Sequence, residues 1–195
     1  LPAAADTLGA LEPDAPKLHE GWGSNAFIEK TVETGDVEAA RAAAAVTVER
    51  TYRMNRQAGV PLEGRAILAF WDDRLDELTI YNSSQFPHQI RAGMAQFLAM
   101  QERQVHVIAP DVGGGFGVKN ILYPEELMVA ALARKLRRPV RWIEDRREHL
   151  LSSIHCREHV HRIRAHADAR GKLLGLEAEV YVDAGAYSHW PNSPF

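Results

Sequence analysis

The chain has 195 residues, a formal net charge of −3 and 46% apolar residues. That is enough for one or two domains with a sizeable core, and the charge excludes a strongly basic nucleic-acid footprint. Its single cysteine, Cys156, excludes an internal disulfide and any paired-cysteine metal site. No apolar run approaches the ~20 residues of a membrane-spanning helix, and the cysteine usage fits a reducing compartment, so the expected location is cytoplasmic. The opening Leu1-Pro2, without methionine or basic leader, and the closing Pro194-Phe195 both read as cuts.

In chain order, residues 1–34 carry several prolines and glycines and little periodicity, and read as an extended linker. A short helix starts at Gly35-Asp36-Val37, with Asp36 as N-cap. Val46–Tyr52 alternates as a strand. Arg65–Trp71 and Leu78–Asn82 form a hairpin about Asp72-Asp73. Pro87 opens a helix with Ile90, Met94, Phe97 and Leu98 at helical spacing. Val105–Ala109 is again a strand. Pro124 opens a second helix, with Leu127, Met128, Ala131, Leu132 and Leu136 expected on its apolar face and Pro139 as its stop. Val140–Ile143, His159–Ala167 and Leu173–Val182 complete the strands, the last two joined by a turn at Gly171-Lys172. The Arg-rich stretch Arg134 to Arg147 reads as solvated surface. The class is α+β, helices packed on mostly antiparallel sheet, and two β-α-β blocks suggest a duplicated unit.

The strongest local signal is the turn Gly113-Gly114-Gly115-Phe116-Gly117-Val118-Lys119, between a strand and a helix. Glycines there let the backbone reach positive φ and lie against a ligand, and its N–H groups can cradle an anion, with Lys119 as an added positive charge. The spacing fits neither dinucleotide-binding nor P-loop patterns, so a plain strand-to-helix connection stays open. Gln85, in the loop Asn82–His88, offers a side-chain amide that can donate to an oxo or carbonyl oxygen; a capping role is the alternative. Glu63 and Asp183 read as carboxylates capping backbone in turns. His155, His159 and His161 have a metal-like look, but Arg157, Arg162 and Arg164 oppose a divalent ion. Cys156 and His155 point to opposite sides of a strand and form no activated dyad.

Six motifs then fall in one order: Pro61-Leu62-Glu63-Gly64-Arg65-Ala66, Ser83-Ser84-Gln85-Phe86-Pro87-His88, the glycine turn, Arg138-Pro139-Val140-Arg141-Trp142, Asp145-Arg146-Arg147-Glu148 and Asp183-Ala184-Gly185-Ala186-Tyr187. In this the chain resembles the large, molybdenum-cofactor-binding subunit of the xanthine dehydrogenase, aldehyde oxidase and aerobic carbon monoxide dehydrogenase family. The resemblance implies an oxidoreductase that hydroxylates an aldehyde, an N-heterocycle or carbon monoxide with water as oxygen source. It implies a molybdenum–molybdopterin cofactor in its cytosine dinucleotide form, with the metal held by the pterin's sulfurs. Electrons would leave through iron–sulfur clusters and FAD on partner subunits or domains. Gln85 would approach an oxo ligand, and Gly114, Gly115, Phe116 and Gly117 would lie against the cofactor. Asn120 stands where purine-hydroxylating relatives have a glutamate, and Gly64 where the family usually has proline.

On this reading, residues 1–45 are a linker and short helix leaving a preceding domain. Residues 46–195 are the first part of the cofactor domain, with the catalytic base beyond the chain and the isolated chain inactive. A non-catalytic binding or assembly module that keeps the fold, or one half of a split subunit, are the alternatives.

Overall fold

The computed structural model describes residues 6–187. In chain order these form α1 (Val37–Ala43), β1 (Val46–Ala58), β2 (Ala66–Asp72), β3 (Glu77–Asn82), α2 (Pro87–Phe97) and β4 (Val105–Ile108). There follow α3 (Pro124–Leu136), β5 (Val140–Ile143), α4 (Arg146–Ser152), β6 (His155–Ala167) and β7 (Leu173–Val182). Contacts divide the chain into two compact units, one from residues 6–57 and 157–186, the other from Ala58–Cys156 with Tyr187.

The first unit is a three-stranded sheet in the order β1-β6-β7. β6 and β7 form an antiparallel hairpin, with Ile163 opposite Ala178, and Gly171 supplies positive φ at its turn. Asp36 caps α1 as its sequence indicates, accepting from Ala39 N at 2.8 Å. α1 packs on β7 where Gly175 leaves room; a Cβ there would sit 2.7 Å from that of Ala40.

In the second unit a four-stranded sheet runs β4-β3-β2-β5. The β2–β3 and β2–β5 pairs are antiparallel and β3–β4 is parallel. Ile67, Ala69, Leu78, Ile80 and Val105 of the sheet pack against Ile90, Met94 and Ala95 of α2 and Val129, Ala130 and Ala133 of α3. The two blocks are not a duplicated unit, because each gives strands to both sheets: β1 of the first pairs with β6 of the second, and β5 of the second with β2 of the first. α3 turns a different stripe inward from the one hydropathy suggests: Glu126, Val129, Ala130 and Ala133 are buried, while Met128 and Leu136 are exposed. Alanines let the helix axis approach the sheet closely, so small residues face the core; Met128, Leu132 and Leu136 lie outward, and of the long apolar residues expected inward Leu127 packs against the core. α4 is an element the sequence reading missed. Its signature was present, since Asp145 and Glu148 form a reciprocal capping box.

One topological feature positions the site. β3 and β4 are adjacent and parallel, so the loops that follow them leave the same edge of the sheet. That edge, outside the carboxyl ends of parallel strands, is where open α/β sheets bind ligands.

Candidate functional site

Those two loops carry Gln85 and the glycine turn, and they are tied together. The Gln85 side-chain oxygen accepts from Gly117 N at 3.1 Å and Lys119 N at 3.2 Å. In return Gln85 N donates to Lys119 O at 2.8 Å, and Ser84 Oγ donates to the same carbonyl at 3.3 Å. Because the Gln85 oxygen is held by two N–H groups, its NH2 is the end left to donate elsewhere. Gln85 and Phe116-Gly117 thus lie together, at the ends of neighbouring strands.

The turn is shaped by what its glycines lack. A Cβ on Gly115 would lie 2.6 Å from Gln85 Cγ and closer still to its amide carbon. Gly114 and Gly117 adopt φ of +94° and +89°. Nothing lies within 4 Å of a Cβ built on Gly117, so that position faces open space. Phe116 takes φ +53° and is 74% exposed; an aromatic residue held in this conformation with its ring in solvent is uncommon. Val118 N donates to Gly115 O at 2.9 Å and closes the turn. The N–H groups of Gly115 and Phe116, at its apex, have no partner among the described residues.

Lys119 behaves differently from expectation. It is buried, and its ammonium lies 2.6 Å from Glu63 Oε2, so it offers no free charge to a ligand. Glu63 also accepts from Gly113 N at 2.8 Å, and Gly113 is a glycine because a Cβ would lie 2.6 Å from that of Glu63. Burial pushes the Glu63 carboxyl upward, but the Lys119 ammonium and the Gly113 N–H outweigh it and hold the group below the usual carboxylate range. The reading of Glu63 as a backbone cap was thus correct but incomplete.

Behind Glu63 lies a buried ionic network that no sequence spacing announces. Arg65 is fully buried. Its backbone N–H and its Nε both donate to Glu144 at 2.9 Å, a terminal nitrogen pairs with Glu125 at 2.6 Å, and the guanidinium lies 3.5 Å from the Tyr123 ring centroid. His149, equally buried, places Nδ1 2.8 Å from Glu144 and Nε2 2.8 Å from the Gly59 carbonyl. Burial pushes Glu144 up, yet Arg65 and His149 hold it below the ordinary range. Burial raises Tyr123 to about 12 and Glu126 to about 7. Gly64 fits against this network: a Cβ there would lie 2.8 Å from the Glu144 carbonyl oxygen, which accounts for glycine in place of the family's proline.

The remaining candidates have local partners of their own. Asp183 accepts from Gly185 N at 2.7 Å, a turn cap, and also pairs with Arg56 at 3.1 Å. His159 and His161 approach within 3.3 Å, but no group of three or more His, Cys, Asp or Glu among the described residues is arranged to hold a metal ion. Cys156 is free and exposed. No helix among the described residues is long and apolar enough to cross a membrane.

What the edge offers is a set of donors without acceptors: two apex N–H groups, the Gln85 NH2, and open space at Gly117. Such an arrangement suits a ligand rich in oxygen acceptors.

Comparison with known proteins agrees. The model of the molybdopterin cofactor-binding domain family matches residues 18–194. The chain is 38% identical over 167 residues to the nicotine 6-hydroxylase large subunit of Paenarthrobacter nicotinovorans, covering 86% of this chain and 20% of that one. It is 34% identical over 200 residues to the carbon monoxide dehydrogenase large chain of Hydrogenophaga pseudoflava, covering 96% and 25%. The aldehyde oxidoreductase structure from Desulfovibrio gigas superposes with a TM-score of 0.83 at 27% identity, covering 94% and 20%. The chain thus spans a fifth to a quarter of the length of these relatives. With its fold, its paired loops and its sequence in agreement, the chain belongs to the molybdopterin cofactor-binding domain family.

Proposed function

We propose that this chain forms the front part of the cofactor domain of a molybdenum hydroxylase large subunit. The observation that carries the reading is the pairing of Gln85 with the glycine turn, which leaves the Gly115 and Phe116 N–H groups and the Gln85 NH2 presented together. When bound, the molybdenum–molybdopterin cofactor supplies the oxidising centre at which a substrate gains an oxygen drawn from water. The chain's own part is to bind and orient it. Gln85 would hold it through its NH2, the apex amides would donate to its oxygens, and Gly114 and Gly117 would leave the backbone free to lie against it. The ring of Phe116 supplies an apolar wall.

The class of substrate is an aldehyde, an N-heterocycle or carbon monoxide, in keeping with relatives named for nicotine hydroxylation, aldehyde oxidation and carbon monoxide dehydrogenation. Asn120 in place of an acidic residue argues against purines. A relative named as a subunit of a complex supports partner subunits; that these carry iron–sulfur clusters and FAD, that the cofactor is the cytosine dinucleotide form and that the setting is cytoplasmic rest on the family resemblance.

The test is composition. The natively purified full assembly is expected to hold one molybdenum and one cytidine nucleotide per large subunit, measured by elemental mass spectrometry and by chromatography after acid release. Gln85→Ala, which also frees the Gly117 and Lys119 amides, is expected to lower molybdenum content at least fivefold and turnover at least tenfold. An assembly with neither metal nor nucleotide points instead to a non-catalytic binding or assembly module.

A further inference from the structure

Glu63 and Gln85 never touch, yet they grip the same turn. Gln85 holds its far side through Gly117 N and Lys119 N. Glu63 holds its near side through Gly113 N, and Glu63 N donates to Gly113 O at 3.3 Å. Lys119 joins the two grips. Its ammonium goes to Glu63, its N–H to the Gln85 oxygen, and its carbonyl accepts from Gln85 N. The Lys119 side chain is 0% exposed, and Glu63 is its ion-pair partner among the described residues. A buried ammonium stays in place only while a counter-charge compensates its lost hydration. Without Glu63 the Lys119 side chain would be driven toward water, and its N–H and C=O would be pulled off Gln85. Between the two grips stand Gly115 and Phe116, whose N–H groups have no partner among the described residues.

We infer that Glu63 is a positioning residue: through Lys119 it fixes the aim of the two apex amides of the glycine turn. It touches neither apex group, so its effect travels through the backbone. The relevance of that aim to cofactor rests on the function proposed above; the clasp itself does not.

Amide hydrogen exchange on this 195-residue chain, without cofactor, reads the clasp directly. Glu63→Gln keeps an acceptor for Gly113 N but removes the charge facing Lys119. Exchange at Gly117 and Lys119 is expected to speed up about tenfold, with Ala69 and Ile80 in the sheet unchanged. Adding Lys119→Met removes the stranded charge and is expected to bring both amides back to within about threefold of the original. Unchanged turn amides in Glu63→Gln would overturn the inference. So would acceleration spread evenly to Ala69 and Ile80, because the pair would then support the fold rather than the turn. Failure of Lys119→Met to restore protection would overturn it too, since charge would not be the link. In the full assembly, Glu63→Gln is expected to lower molybdenum content about fivefold. The expected exchange with undiminished molybdenum would leave the clasp standing and remove the cofactor from the turn.

Discussion

The side chain of Gln85 occupies the volume in which any residue other than glycine at 115 would place its Cβ. The two positions are 30 apart in the chain, on loops that follow neighbouring parallel strands, and each restricts what the other can be.

Gly115→Ala is therefore expected to displace Gln85 and release the Gly117 and Lys119 amides. Two hydrogen bonds are at stake, and the displaced group is the flexible end of a side chain. The cost in stability should be about 1–2 kcal/mol, with a larger loss of cofactor. In a Gln85→Ala background the same substitution should cost markedly less, because its obstacle is gone. Urea unfolding of the four chains checks this.

Gly117 separates folding from binding in another way. A Cβ there meets nothing within 4 Å, while its φ of +89° suits glycine alone. Gly117→Val should cost about 1–2 kcal/mol of backbone strain and leave the fold intact. In the full enzyme it should abolish cofactor occupancy, since a branched side chain would stand in the open space. Circular dichroism and molybdenum content, measured on the same preparation, decide it. Normal metal with a normal rate would remove Gly117 from the site.

The Arg65–Glu144–His149 network should be intolerant of partial removal. Glu144→Gln leaves a buried guanidinium short of its counter-charge and should destabilise by about 3–5 kcal/mol. Because the folded protein holds Glu144 below its ordinary range, its stabilising contribution is present above about pH 4.5. It is lost as pH falls through the lower folded value, where the folded state resists protonation and the unfolded state does not. The variant should lose that part of the acid dependence. Denaturant midpoints between pH 3 and 6 test both statements.

Glu126 has the opposite sign. Burial raises it to about 7 from its ordinary 4.5, so between those values the folded state binds more protons than the unfolded state. Stability should fall as pH rises across that window, by up to about 3 kcal/mol. Glu126→Gln keeps the acceptor for Tyr123 N, now bonded at 3.1 Å. It should flatten this slope and raise the melting temperature at pH 8 above that of the unaltered chain. An unchanged slope from pH 5 to 8 would show that Glu126 does not carry it.

The sequence by itself determined most of the local elements, α4 excepted, and singled out the candidate site's two loops. Asp36 announced its helix, Pro87 and Pro124 opened theirs, and alternation marked the strands, because caps, proline and side-chain period act within a few residues. The ordered motifs around Gln85 and the glycine turn carried the family. Tertiary structure decided what depends on residues far apart. The inward stripe of α3 was set by how closely alanines let it approach the sheet, not by where the largest apolar residues fell. Lys119, which looked free from its neighbours in the chain, was neutralised by Glu63, 56 residues away. Arg65 found Glu144 across 79 residues, and nothing in local spacing encodes such a partner. The burial of those charges, and with it the aim of the turn's donors, follows from the sheet that brings the β3 and β4 loops to one edge.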